Sequence, residues 1–199
     1  MAQAKVLSEK EVRKVLLYIA AHKHAQRNRA MFQLLHLTGM RVGELAGLRL
    51  CDVLTRDAEI TDEIRLTRDQ TKGDKPRTVL LSDKARNELE AYLKKRFDVE
   101  DLAPLVLTDT TRALLSTQKS AHRGFSANTL AQHFHVLYKR AGISGASSHS
   151  GRRGFITGLA ERGVSARVLQ VLAGHSSLAT TQRYIEINPA MMRKAVEAL

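Results

Sequence analysis

Apolar positions recur along most of this chain at helical spacing, with one stretch where they alternate instead. Val12, Val15, Leu16 and Ile19 follow a start signal, Ser8 with Glu11 three residues on, which predicts a capped amphipathic helix. "NRAMFQLLHLTG" predicts a second helix that stops at Gly39, and "VGELAGLRL" a short one directly after it. "EIRLT" and "RTVLLS" read as short strands joined by the Gly/Asp/Pro-punctuated turn "KGDKP". From Asp83 to about Phe97 the period is helical again, with Leu89 and Leu93 on one face. Residues 98–126 are the least regular and are expected to loop past a short strand. Ser126 then opens the helix "ANTLAQHFHVLYKRAG", closed by Gly142. Three more helices follow: one within "SSHSGRRGFITGLAERG", one in "SARVLQVLAG" between Ser165 and Gly174, and one from about Ser177 that carries Tyr184. "NPAMMRKAVEAL" closes the chain as a helix, with Pro189 suited to its first position. The expected fold is a mainly α-helical α+β domain with one small antiparallel β-sheet.

Composition narrows the class. A chain of 199 residues with 43% hydrophobic positions can bury the core of a single domain. No stretch is long and apolar enough to span a bilayer, and no secretory pattern opens the sequence. The lone cysteine, Cys51, excludes an internal disulfide and fits a reducing cytoplasmic home. Its setting in "LAGLRLCDV" predicts a buried structural thiol. Lys and Arg number 32 against 20 Asp and Glu, a net charge of +12, which favours a polyanionic partner: nucleic acid first, an anionic membrane or the ribosome second. With 5% aromatic residues and no Trp, the chain lacks the stacking platforms of a single-strand binder, so duplex DNA held through its phosphates fits better.

The candidate chemistry is concentrated in three segments. His149, Arg152 and Arg153 fall in the first turns of a helix, where the dipole favours negative charge. His149 and Arg152 stand three apart and share a face. His175 follows Gly174 directly, with Tyr184 nine residues later, and Arg41 follows a glycine turn at the head of a short helix. Taken singly, each has an ordinary reading as a solvated arginine, a helix-start histidine or a packing tyrosine. No metal pattern emerges: in "HKH" and "HFH" the histidines point to different helix faces, and no carboxylate or cysteine completes a set. No Gly-rich loop ending in Lys-Ser/Thr suggests ATP.

Jointly, "TGMRVGELAGLRLCD" followed at a distance by "HSGRR" and "LAGHSSLATTQRY" resembles the tyrosine recombinases, the family of lambda integrase and the Xer recombinases. "TKGDKPRTVLL" is similar to that family's lysine-bearing β-hairpin. The resemblance runs from about Ser8 to Asn188. It implies six catalytic residues, Arg41, Lys72, His149, Arg152, His175 and the nucleophile Tyr184, with Lys75 as the alternative to Lys72. It also implies the recombinase catalytic-domain fold and cleavage and rejoining of double-stranded DNA through a 3′-phosphotyrosine, without metal or cofactor. The partners it implies are duplex DNA and a homotetramer formed on it from monomers, with the terminal helix (about 189–199) packing either on its own domain or on a neighbour. A phage, mobile-element or bacterial origin is expected.

Two departures stand out. Gly151 and Arg153 occupy places where the family often has Leu and His, from which altered packing is expected. Only about seven residues precede the first helix, so the expectation is one catalytic domain over 1–199, without the DNA-clamping N-terminal domain of most members. The alternatives are a type IB topoisomerase, which relaxes supercoils by almost the same chemistry, and a non-catalytic DNA-binding accessory protein.

Overall fold

In the computed structural model, residues 4–71, 75–117, 120–185, 192–193 and 196–197 are described, residues 120–122 by their backbone only. Helix α1 (Glu9–Ala20) begins as the sequence predicts: the Ser8 hydroxyl accepts from the Glu11 N–H, and the Glu11 carboxylate accepts from the Ser8 N–H. Helix α2 (Ala25–Thr38) is the centre of the molecule, and Met31, Phe32, Leu34 and Leu35 are fully buried along it. It ends where Gly39 turns left-handed at φ 63°. Packed around α2 are α1, α4 (Asp83–Phe97, capped by Ser82) and α7 (Ser150–Glu161), while α3 (Val42–Ala46) leads off its end and packs on α6 (Ala127–Arg140, capped by Ser126). Leu45, Ile64, Leu89, Leu93, Phe134 and Tyr138 join the same core. Each such side chain contributes roughly 1.5–3 kcal/mol on burial.

Strands β1 (Glu63–Leu66) and β2 (Arg77–Leu80) pair antiparallel, with Ile64 opposite Val79. Ile64 and Leu66 point inward and Arg65 outward, the alternation that marked the segment as a strand. The expected single sheet is in fact two. After the short helix α5 (Ala103–Val106), β3 (Ser116–Thr117) and β4 (Ser120–Gly124) form a second, separate hairpin within the segment read as a loop. With a two-residue strand and a register shift, it has almost no periodicity to detect.

Three further corrections follow from local geometry. Cys51 is exposed, not buried: it lies in a single 3-10 turn (Leu50–Asp52) that turns Leu50 inward instead. Helix α8 (Ala166–Ala173) starts at Ser165 and ends at Gly174 as predicted, but α9 (Leu178–Gln182) stops short of Tyr184, which sits in the turn beyond it. The predicted terminal helix lies largely outside the described residues; Met192 and Val196, which are described, are helical and exposed.

Gly151 has a packing reason. A Cβ there would come within 2.9 Å of Leu35 Cβ and 3.0 Å of its backbone carbonyl, so the missing side chain lets α7 approach α2 closely. The missing side chain seats the start of α7, with Arg152, against the centre of the fold.

Candidate active site

Four chain segments meet at the C-terminal end of α8. Its last carbonyls are the orphan acceptors of any helix end, and they carry the negative end of the dipole. Three successive ones each accept from a different arginine: Leu172 from Arg77 Nη1 at 3.0 Å, Ala173 from Arg152 Nη2 at 2.6 Å, and Gly174 from Arg41 Nη2 at 3.1 Å. Gly174 is left-handed at φ 64°, and a Cβ there would meet Arg77 Cδ at 2.5 Å, so both backbone and space demand glycine.

Each arginine arrives by a different route. Arg41 caps α3, just past the Gly39 turn. Arg152 lies one turn into α7 and is 4% exposed, with its Nη1 on the Gly39 carbonyl at 2.7 Å. Arg77 opens β2. One carboxylate serves two of them. Glu44, 1% exposed, accepts from Arg41 Nη1 at 2.8 Å and from the Arg41 backbone N–H at 2.7 Å. It also accepts both Arg77 Nε (3.1 Å) and Nη2 (2.7 Å), a two-pronged pair.

The electrostatics follow. Burial alone would raise the Glu44 carboxyl, but the hydrogen bond and charge of Arg77, with the backbone and side-chain hydrogen bonds of Arg41, outweigh it and hold it below the usual carboxylate range. Among the described residues, no carboxylate hydrogen-bonds Arg152; burial first, then the charges of Arg41 and Arg77, pull it down to about 10. Among the described residues, the three guanidiniums and one carboxylate at this helix end carry a formal +2. Such an excess is stable only where helix dipoles help and an anion can complete the set.

His175 follows Gly174 and is mostly buried, its Nδ1 fixed by Thr181 Oγ1 at 2.9 Å. Burial, then the charges of Arg152, Arg41 and Arg77, lower it to about 4, so the ring is neutral at pH 7. Tyr184 stacks on it, with ring centres 5.4 Å apart and planes at 22°. The phenol packs against the second apolar cluster of Ile156, Ala160, Leu169 and Ala173, and its backbone carbonyl accepts from Thr157 Oγ1 at 3.1 Å. The other tyrosines serve packing: Tyr138 and Tyr92 are buried and Tyr18 is partly so.

Of the six predicted residues, the structure brings together Arg41, Arg152, His175 and Tyr184. His149 caps α7 one turn ahead of Arg152 and is exposed, its backbone N–H donating to Ser147 Oγ at 3.2 Å. Lys72 lies outside the described residues; Lys75, two residues before β2, is exposed. Sequence reasoning missed Glu44 and Arg77. The i,i+3 spacing of Arg41 and Glu44 in "RVGEL" was a usable signal for the first; for Arg77, 33 residues from its partner, only the hairpin motif hinted. Among the described residues no three His, Cys, Asp or Glu side chains cluster as a metal site requires, and no helix is long and apolar enough to cross a membrane.

A mainly helical domain that gathers guanidiniums, imidazole and a phenol at one helix end has the architecture of a tyrosine recombinase catalytic domain. The chain belongs to the phage integrase family, whose model matches residues 5–191. It is 31% identical over 193 residues to the tyrosine recombinase XerA of Pyrococcus furiosus, covering 97% of this chain and 61% of that one. With the tyrosine recombinase XerC of Mycobacterium bovis it shares 36% identity over 176 residues, 87% of this chain and 54% of the relative. The chain thus spans little more than half the length of these relatives. Its fold matches the crystal structure of XerA recombinase with a TM-score of 0.74 at 27% identity, covering 100% of this chain and 66% of that one. XerH site-specific recombinase, in a post-cleavage complex with palindromic difH substrate, shares the fold with a TM-score of 0.68 at 22% identity, covering 96% of this chain and 51% of that one.

Proposed function

We propose that residues 1–199 are one recombinase catalytic domain that cleaves and rejoins duplex DNA through a 3′-phosphotyrosine. The observation that carries this reading is the set of arginines on the end of α8, with Tyr184 stacked on His175 beside it. A phosphodiester is anionic and repels nucleophiles, and charge grows on its non-bridging oxygens as phosphorus becomes five-coordinate. Arg41 and Arg152 neutralise that charge with planar, permanently cationic forks of donors already in place. His175, neutral and held through Nδ1, offers its remaining nitrogen to the same oxygens.

Tyr184 Oη attacks phosphorus and gives up its proton, with His149, at the head of α7, as the base. The bond from phosphorus to the 5′-oxygen breaks, and that oxygen takes a proton from Lys72, or Lys75 in its place, to leave a free 5′-hydroxyl. The ester conserves the bond energy, so rejoining to a second strand needs only the reverse attack by a 5′-hydroxyl. Strand exchange is the work of a homotetramer assembled on DNA from monomers, in the cytoplasm. The net charge of +12 supports binding to duplex phosphates.

The test uses nicked duplexes from the host replicon, in which a short fragment diffuses away after cleavage and traps the adduct. Covalent capture of a defined sequence, and recombination between two copies of it, supports the reading. Relaxation of supercoiled plasmid lacking that sequence, without exchange, would favour the topoisomerase instead. DNA binding with no adduct on any duplex would leave an accessory protein.

A further inference from the structure

We propose that Arg77, outside the six-residue set, is the third cation of the phosphate site and sets the charge that Arg41 presents. This rests on the recombinase reading of the same site. Arg77 belongs to the triad of guanidiniums on α8: Leu172, Ala173 and Gly174 each hold one, in chain order Arg77, Arg152 and Arg41. Glu44 is shared, and Arg77 holds it with two donors while Arg41 holds it with one side-chain donor. With Arg77 present, the carboxylate is largely spent on it, and Arg41 stays electropositive toward solvent, its side chain 27% exposed against 10% for Arg77. Without Arg77, the whole charge of Glu44 falls on Arg41, and the site drops from a formal +2 to +1.

That difference matters because of the reaction's charge. A phosphodiester carries one negative charge, and the five-coordinate state approaches two when the tyrosine proton has left and the 5′-oxygen has not yet gained one. An arginine cluster of +2, beside a lysine that gives up its proton to the 5′-oxygen, matches the transition state better than the ground state, which is the condition for acceleration rather than mere binding. Arg77 is therefore a positioning residue: it acts through Glu44 and Arg41. It also anchors β2 to α8, and in the sequence β2 directly follows the segment with Lys72 and Lys75. An effect through charge must thus be separated from one through the general acid.

The experiment measures single-turnover cleavage of the trapping duplex by the wild-type chain, Arg77→Gln and Arg77→Lys, at saturating protein. A second duplex carries sulfur in place of the 5′-bridging oxygen at the scissile phosphate, a leaving group that needs no proton. Arg77→Gln should cleave about 10²-fold more slowly with half-saturation nearly unchanged, the size of loss typical for one preorganised donor. Arg77→Lys, which restores the charge but not the fork, should recover about tenfold. The Arg77→Gln defect should persist in full on the sulfur duplex. Wild-type cleavage by Arg77→Gln, equal defects in the two variants, or a defect that disappears with sulfur would each overturn the proposal. A readout without turnover separates this from the recombinase reading: inorganic phosphate titrated against chloride at fixed ionic strength, followed by the NMR signals of the His175 ring. Arg77→Gln should raise the half-saturating phosphate about tenfold, Arg77→Lys much less. If the wild-type chain forms no adduct yet phosphate binding tracks Arg77, the charge assignment stands and the recombinase reading falls; if phosphate binding ignores Arg77, the assignment falls.

Discussion

Glu44→Gln tests whether the site is built for an anion that completes it. Glu44 is 1% exposed and pairs with both Arg77, whose side chain is 10% exposed, and Arg41, at 27%. Removing one partner of a buried pair typically costs about 3–5 kcal/mol, because the other charge stays behind unpaired. Glutamine keeps the volume and one acceptor, Arg41 reaches solvent, and the α8 carbonyls still hold every guanidinium, so the loss should sit near the low end, about 3 kcal/mol. For a chain of this size that lowers the melting temperature by roughly 6–12 °C. The sign then reverses with ligand. The variant has a formal charge one higher, so phosphate or duplex DNA should bind it more tightly and, at equal ligand concentration, stabilise it more than the wild type, by about 1.4 kcal/mol for each tenfold difference in dissociation constant. Thermal unfolding in chloride and in phosphate at equal ionic strength measures both effects. A variant that melts within a degree of wild type refutes the pairing argument. One that melts lower but gains nothing extra from phosphate shows that the carbonyls alone satisfy the arginines.

Three other outcomes are expected. Gly151→Leu should cost about 1–3 kcal/mol in urea unfolding, because its side chain meets the rigid Leu35 backbone, and it should lower adduct yield by shifting Arg152; unchanged stability would mean that α7 can move off α2 freely. Stability should fall as pH drops from about 6.5 toward 4: burial holds His36, His133 and His175 near 4, so the unfolded chain takes those protons first, and a melting temperature constant between pH 7 and 5 would contradict those environments. Ending the chain after Asn188 should spare cleavage but impair strand exchange, since Met192 and Val196 present an exposed apolar stripe suited to a neighbouring protomer; normal recombination by the shortened chain would refute that packing.

What the sequence made legible was local. Ser8, Ser126 and Ser165 as helix starts, and Gly39 and Gly174 as stops, are written in side chains that hydrogen-bond their own backbone or tolerate a left-handed turn. The box motifs carried Arg41, Arg152, His175 and Tyr184 for the same reason: each lies next to a turn that can be read. The rest depended on partners distant in sequence. Glu44 and Arg77 are 33 residues apart, and nothing in either segment says that they meet. The three carbonyls of α8 have no side-chain signature at all. Cys51 looked buried because its neighbours are apolar, but in a 3-10 turn each residue is rotated about 120° from the last, so Leu50 can face the core while Cys51 faces outward. The β3–β4 hairpin was too short and irregular to show an alternation.

Tyr184→Phe shows whether Tyr184 is the nucleophile. The change removes one hydroxyl, while the ring can still pack on His175 and on the cluster of Ile156, Leu169 and Ala173. Labelled trapping duplex is incubated with each protein and run on a denaturing gel, with DNA affinity and melting temperature measured in parallel. The account predicts wild-type affinity and folding with no covalent band, and a wild-type adduct whose DNA-linked peptide contains Tyr184. An adduct at normal yield from the Tyr184→Phe protein would contradict it.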